Sequence, residues 1–419
     1  MRVLLSTDAF PPICGGSGWS TYELARGLRA RGHHVSIVRP IPGRAESVRE
    51  AAYDDFRVVE VGSPAPDIPY IRNYFKNERL FSRLEPFLVD TIRRERIDVI
   101  HAQHVLTCVP SVGAASRTGI PSVCTVRDYW PVCYWSDLLH TRDEAALCPE
   151  CTAAGMRQCI RPRAGSLWPL AVPLIPYMRG NLARKRTGLS GATAIVAVSS
   201  AMAADLRARA PELAGANIVT IPNPVNIADL RRRAAAADPG IETPYALYVG
   251  KLAPNKGTSH LMQVIERAGL DWPLVIAGDG PDRAALAAAA QESSRDVRFL
   301  GWQDQHRVAA LQANAAMLIF PSRGPESLSR VLIEASALGV PIAAMNTGGT
   351  ADIVVHLETG LLSGTPEELA SHVRQLRADS DLRARLGRAA KKRAEAHFDA
   401  PAVVARVEAL YRQIAGRAA

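Results

Sequence analysis

The feature that most restricts the fold of this 419-residue chain is an alternation that runs twice: short apolar runs of strand length, separated by longer stretches with helical spacing. In the first half the strand-like runs fall at 2–7, 34–38, 57–62, 98–103, 122–126, 193–199 and 217–222. An Arg- and Ala-rich stretch ending in Asp238-Pro239-Gly240 interrupts the pattern, which resumes at 245–250, 274–278, 297–302, 317–321 and 342–345. Strands joined by helical crossovers make parallel sheets covered by helices, so the expected class is α/β with two Rossmann-like domains. At 45.2 kDa the chain exceeds what one hydrophobic core usually serves, and 47% hydrophobic residues suffice for two. The expected division is 1–226 and 227–399, with an insert at about 130–190. A last helix over 400–419, apolar at Val404, Val407, Leu410 and Tyr411, is expected to pack back on the first domain.

Patterning also narrows location and partners. Met1–Thr7 reads as a strand rather than a secretory leader, and the most apolar longer stretch, Leu167–Met178, carries three prolines and is too short to span a bilayer. A cytoplasmic protein is expected, with reduced thiols at its seven cysteines. The net charge of +9 is concentrated: Cys151–Ala204 has no Asp or Glu and holds seven basic residues, Arg157, Arg161, Arg163, Arg179, Arg184, Lys185 and Arg186. Mixed with Trp168, Leu170, Leu174, Ile175 and Tyr177, that charge suits an anionic membrane surface on the inner face of the cell membrane, or equally a buried lid with a basic rim. The modules expected of a nucleic-acid binder are missing from it.

Ligands of open α/β sheets bind beyond the carboxyl ends of the strands, so the residues just after strands, facing a cleft between two such sheets, carry the functional reading. After the first strand comes Pro11-Pro12-Ile13-Cys14-Gly15-Gly16-Ser17-Gly18, a glycine loop opening a helix, where free amides suit a phosphate or simply form a tight turn. Gly250–Gly257 follows the next domain's first strand with Lys251 and Lys256, two cations that match a diphosphate or remain solvated. Gly278-Asp279-Gly280-Pro281 permits close backbone approach to a base or ribose, or only a turn. Glu326 and Glu334 are eight residues apart; on a continuous helix they would be about 80° out of alignment and could border one pocket. Carboxylates accept hydrogen bonds from pairs of sugar hydroxyls and support positive charge at an anomeric carbon, although two glutamates on a helix are more often a solvated face.

In order, the Gly-Gly loop, Lys-x4-Lys, Gly-x-Gly-Pro, Glu-x7-Glu and Asn346-Thr347-Gly348-Gly349 resemble the family-four group of retaining glycosyltransferases with the GT-B fold. The resemblance spans nearly the whole chain and includes Val198-Ser199-Ser200 and Ile221-Pro222-Asn223-Pro224-Val225. It implies that Lys251 and Lys256 bind the diphosphate of a UDP-, GDP- or ADP-sugar, that Glu326 and the following Ser327 and Leu328 meet the donor sugar and phosphate, and that Glu334 holds the ribose. Gly15 and Gly16 would approach the phosphate from the other domain. The acceptor would be a glycan or lipid-linked glycan, and no active-site divalent metal is expected, in keeping with the lack of an Asp-x-Asp motif at a strand end.

Three features depart from that pattern or add to it. Many relatives carry a His-Asp pair where this chain has Arg127-Asp128, and a guanidinium cannot act as a base; Arg127 could bind an anionic sugar or acceptor, or offset charge as the nucleotide departs. Pro224 and Asn226 replace a frequent glycine and a frequent aspartate. Finally, Cys133, Cys148, Cys151 and Cys159 have spacing suited to a structural zinc or iron–sulfur centre, or are ordinary thiols. Two other functions remain open on sequence: a sugar-nucleotide epimerase on the same fold, and a non-catalytic metal-binding or membrane-associated protein on a degenerate transferase fold.

Overall fold

The computed structural model describes residues 1–43, 45–68, 71–139 and 147–416, which form two compact units. The first comprises Met1–Ser136, Leu174–Pro224 and Ala400–Ala419; the second comprises Asp137–Pro173 and Val225–Asp399.

The first unit holds β1 (Arg2–Ser6), β2 (His34–Pro42), β3 (Ser47–Tyr53), β4 (Phe56–Ser63), β5 (Val99–Ala102), β6 (Ser122–Val126), β7 (Ala194–Ala197) and β8 (Ile218–Thr220). They make one sheet in the order β3-β4-β2-β1-β5-β6-β7-β8, parallel throughout except for the β3–β4 pair. The residues of β5, β6 and β7 are buried on both faces, which explains their unbroken small and apolar character. The alternation of β1 serves two cores. Val3 and Leu5 pack with Leu24 and Leu28 of helix Gly16–Ala30 and with Val404 and Val407 of helix Ala400–Ala415. Leu4 faces Leu84, Leu88 and Ile92 of helix Leu80–Glu95. The last helix is tied in by polar contacts as well, with Glu408 3.0 Å from His33 Nε2 and the Tyr411 hydroxyl 2.6 Å from His101 Nδ1.

The second unit holds β9 (Ala246–Val249), β10 (Leu274–Ala277), β11 (Val297–Gly301), β12 (Met317–Phe320), β13 (Ile342–Met345) and β14 (Leu361–Ser363), in the all-parallel order β11-β10-β9-β12-β13-β14. One of its cores joins Leu274 and Ile276 to Leu261, Ile265, Leu369 and Val373 from flanking helices.

Two strands have no signal in the sequence. β3 is exposed over Arg49–Ala52 and shows no apolar alternation, and β14 is only three residues long. Between 153 and 190 the prolines divide the chain into helices Ala153–Ala164 and Ile175–Ser190 with short turns between them, and the insert anticipated as one piece does not stay with one unit: Asp137–Pro173 packs with the second, Leu174 onward with the first. Among the described residues, no helix is long and apolar enough to cross a membrane.

Candidate active site

In the second unit the candidate donor residues collect at the carboxyl ends of β9, β10, β12 and β13. β9 leads through Gly250 to the exposed Lys251, and a turn at Pro254–Lys256 then delivers Lys256. Gly257, the next residue, has φ +68°, and a Cβ there would lie 1.8 Å from the Pro321 carbonyl oxygen, so only glycine lets this turn seat against the end of β12. The seating brings Lys256 Nζ to 2.6 Å from Glu326 Oε1, and Ser322 Oγ donates to the same oxygen at 2.5 Å. Glu326 is only 8% exposed. Its backbone carbonyl accepts the Gly349 amide at 2.6 Å, and Thr347 Oγ1 donates to the Ser322 carbonyl at 3.3 Å, so the Asn346–Gly349 loop after β13 holds the backbone that carries the carboxylate.

Glu326 is not on the helix. That helix runs Arg330–Leu338, while Glu326, Ser327 and the buried Leu328 precede it in a non-helical loop, so the angular reckoning for a continuous helix does not hold. Glu334 lies one turn into the helix and pairs with Arg330 Nε at 2.7 Å, both side chains being mostly buried. Gly278 and Gly280 have a packing duty: a Cβ at these positions would fall 1.9 Å from the Gly250 carbonyl oxygen and 2.2 Å from that of Leu252. They therefore lock the turn after β10 onto the lysine loop after β9. A cavity of about 290 Å³ in this unit is bounded by Ala253, Pro254 and Asn255 of that loop, by Pro281, and by Asp137 and Arg163 of the insert.

In the first unit, Gly15 caps helix Gly16–Ala30 without a side-chain cap. Gly15 and Gly16 are exposed, and nothing lies within 4 Å of where a Gly15 Cβ would stand. The adjacent strands β1, β5 and β6 place three charged groups side by side at their ends. His104 Nδ1 lies 2.7 Å from Asp8 Oδ2, and its Nε2 lies 3.0 Å from Asp128 Oδ2. Burial opposes charge on this imidazole, but the two carboxylates outweigh it and hold His104 protonated well above the usual histidine range. Burial would raise the Asp128 carboxyl; the His104 hydrogen bond and charge and the Trp130 amide, whose nitrogen donates to Oδ1 at 3.0 Å, outweigh it and lower it.

Arg127 points elsewhere. Its Nε donates to Asn223 Oδ1 at 2.9 Å and its Nη1 to the Gln103 carbonyl at 2.8 Å, and burial lowers its pKa to about 10. The guanidinium thus links the ends of β5 and β6 to the segment after β8. A cavity of about 580 Å³, lined by Arg2, Arg29, His34, Arg57 and Arg94 among others, sits at the amino ends of β1, β2 and β4 and contains none of these site residues.

Cys133, Cys148 and Cys159 are buried and Cys151 is partly so. Among the described residues no group of three or more His, Cys, Asp or Glu side chains is arranged to hold a metal ion, so the centre expected from the cysteine spacing is not assembled there. Residues 140–146, within the longest gap of that spacing, lie outside the described residues.

Sequence reasoning did not single out Asp8, His104 or Arg330, and it noted Ser322 only as part of the Pro-Ser pair before Glu326. A usable signal was available for His104, which directly follows a strand and begins a helix, but Asp8 and Asp128 lie 96 and 24 residues away in the chain and only the strand order unites the three.

Two parallel-sheet Rossmann-like units with this order of loops define the class: a glycosyltransferase with the GT-B fold. The fold is that of sucrose-phosphate synthase from Thermosynechococcus elongatus, which superposes with a TM-score of 0.71 over 99% of both chains at 21% identity. The chain belongs to glycosyltransferase family 4, whose model matches residues 14–229, while the model for glycosyl transferases group 1 matches residues 233–393. It is 26% identical to glycogen synthase from Mycobacterium tuberculosis over 95% of this chain and 91% of that one. It is also 25% identical to the GDP-mannose-dependent alpha-mannosyltransferase of Mycolicibacterium smegmatis, over 86% and 84% of the respective chains.

Proposed function

We propose that the chain transfers a hexose from a nucleotide-sugar donor to a hydroxyl of a glycan or lipid-linked acceptor, with retention of anomeric configuration and without an active-site divalent metal. The observation that carries this reading is the Lys256–Glu326 contact at the ends of the neighbouring strands β9 and β12. An ammonium group and a carboxylate held together at strand ends offer a cation to a diphosphate and an acceptor to sugar hydroxyls, the two chemistries a nucleotide sugar presents. Lys251 and Lys256 supply the positive charge that a divalent ion supplies in other transferases.

In the proposed reaction the bond between the anomeric carbon and the diphosphate oxygen breaks, and the acceptor oxygen bonds to the same face. The acceptor proton passes to the departing diphosphate, so no side-chain nucleophile is needed. Glu326 holds the sugar hydroxyls and supports developing positive charge, while Glu334, fixed by Arg330, holds the ribose. Asp128, kept ionised by His104, is a hydroxyl acceptor in the first unit; Arg127, committed to Asn223 and Gln103, positions that unit's strand ends rather than acting on the substrate. That a relative of this length is named for GDP-mannose supports a nucleotide sugar as donor. The test is a panel of UDP-, GDP- and ADP-sugars with release of nucleoside diphosphate as readout. Release from one donor supports the reading; release from none refutes it, and conversion of the donor to its epimer without release assigns the chain to isomerisation instead.

A further inference from the structure

We propose that the bend at Gly165–Ala171 is a docking element for an anionic lipid surface. This inference does not depend on the transfer reading.

Its basis is a local reversal of the usual burial rule. Leu167 and Leu170 are 64% and 76% exposed, whereas Met156, Ile160 and Ala171 around them are buried. Pro169 and Pro173 prevent one continuous helix, and the chain instead turns through Gly165–Leu167 and Trp168–Ala171. Leu167 ends the first of these turns and Leu170 lies in the second, so the bend presents two exposed leucines within four residues.

The charged residues of helix Ala153–Ala164 are all basic. Arg157 and Arg161, one turn apart on helix Ala153–Ala164, are exposed, and neither makes an ion pair with the described residues. Arg161 lies over the Trp168 ring, 5.6 Å from its centroid, beside the leucines. By contrast Arg163 is taken up by Asp137 at 2.5 Å. No acidic residue occurs from Cys151 to Ala204 to offset the exposed arginines.

A leaflet containing anionic lipid offers both of the required surfaces: phosphate headgroups for the arginines and acyl chains for the leucines, with the Trp168 indole suited to the boundary between them. A polyanion such as RNA would satisfy the arginines and leave the leucines in water.

The test is flotation of the full chain with vesicles of phosphatidylcholine alone and of phosphatidylcholine mixed with phosphatidylglycerol, at low and high salt. Binding to the mixed vesicles is expected, at least about tenfold above the neutral ones and weakened by salt. Leu167→Ser with Leu170→Ser should reduce it about tenfold, and Arg157→Gln with Arg161→Gln should reduce it similarly. Because all four side chains are exposed, the variants should keep the wild-type melting temperature and circular dichroism spectrum, which separates lost docking from lost folding. No binding to the mixed vesicles overturns the proposal, as does full binding by the leucine double variant. Retention on heparin without binding to either vesicle also overturns it, in favour of a soluble polyanion.

Discussion

Lys256→Ala isolates the contact on which the donor site is built. Lys256 Nζ lies 2.6 Å from Glu326 Oε1, with side-chain exposures of 32% and 10%. Removing the ammonium leaves Glu326 with the Ser322 hydroxyl alone on that oxygen. Breaking a fully buried pair costs about 3–5 kcal/mol and an exposed one under about 1 kcal/mol, so a pair with one buried and one half-exposed partner should cost about 1–2 kcal/mol of stability. Affinity for a nucleoside diphosphate loses a charged hydrogen bond, about 1.5–3 kcal/mol, which is about 10- to 100-fold in Kd. Titration calorimetry with UDP and GDP reads the second quantity and urea unfolding the first. Glu326→Gln supplies the control: it relieves Lys256 of its anionic partner, so diphosphate affinity should be equal to wild type or tighter, while transfer falls. If Lys256→Ala binds the preferred nucleotide as wild type does, Lys256 does not contact the diphosphate and the assignment fails.

Glu326→Gln should reduce turnover by about 10²- to 10³-fold with the melting temperature little changed, measured as nucleoside diphosphate release; undiminished release would remove Glu326 from the reaction. His104 binds its proton more tightly folded than unfolded, so its contribution to stability is complete below about pH 6.5 and is lost as pH rises through the higher folded value. Wild type should therefore lose stability above about pH 6.5 relative to His104→Asn, and parallel pH–stability curves would refute the bridging geometry. Lys185 has the opposite sign: burial lowers its pKa to about 8, and Lys185→Met should raise the melting temperature at neutral pH, whereas a lowered one would show that the ammonium is stabilised by its surroundings. Gly257→Ala should destabilise the fold by about 1–3 kcal/mol or more, because both the φ of +68° and the Pro321 carbonyl oppose a side chain; an unchanged midpoint in urea would contradict the seating of this turn.

The parallel sheets were legible because their inner strands are buried on both faces and read as short unbroken apolar runs, as in Leu274–Ala277 and Met317–Phe320. Edge strands carry no such mark: β3 is exposed and β14 is brief. The glycines and lysines after β9 and β10 were visible as motifs, but motif spacing does not show that Gly278 and Gly280 are required by the neighbouring loop's carbonyls. The alignment reckoned for Glu326 and Glu334 on a continuous helix does not apply, because the helix begins only at Arg330, after the loop that carries Glu326. The Asp8–His104–Asp128 bridge could not be read from spacing, since its members meet through the order of β1, β5 and β6. The partners of Arg127 were likewise hidden, since Asn223 and the Gln103 carbonyl reach it from the ends of other strands.

Everything proposed for the reaction depends on sugar leaving a nucleotide donor and keeping its anomeric configuration. Proton NMR of the anomeric signal during turnover of UDP-, GDP- and ADP-sugars, with water or an added glycan as acceptor, observes that event directly. One donor should be consumed, and the first product formed should carry the donor's own anomeric configuration before mutarotation. Product of the opposite configuration, or a full set of donors left intact by protein that binds UDP or GDP, would contradict the account.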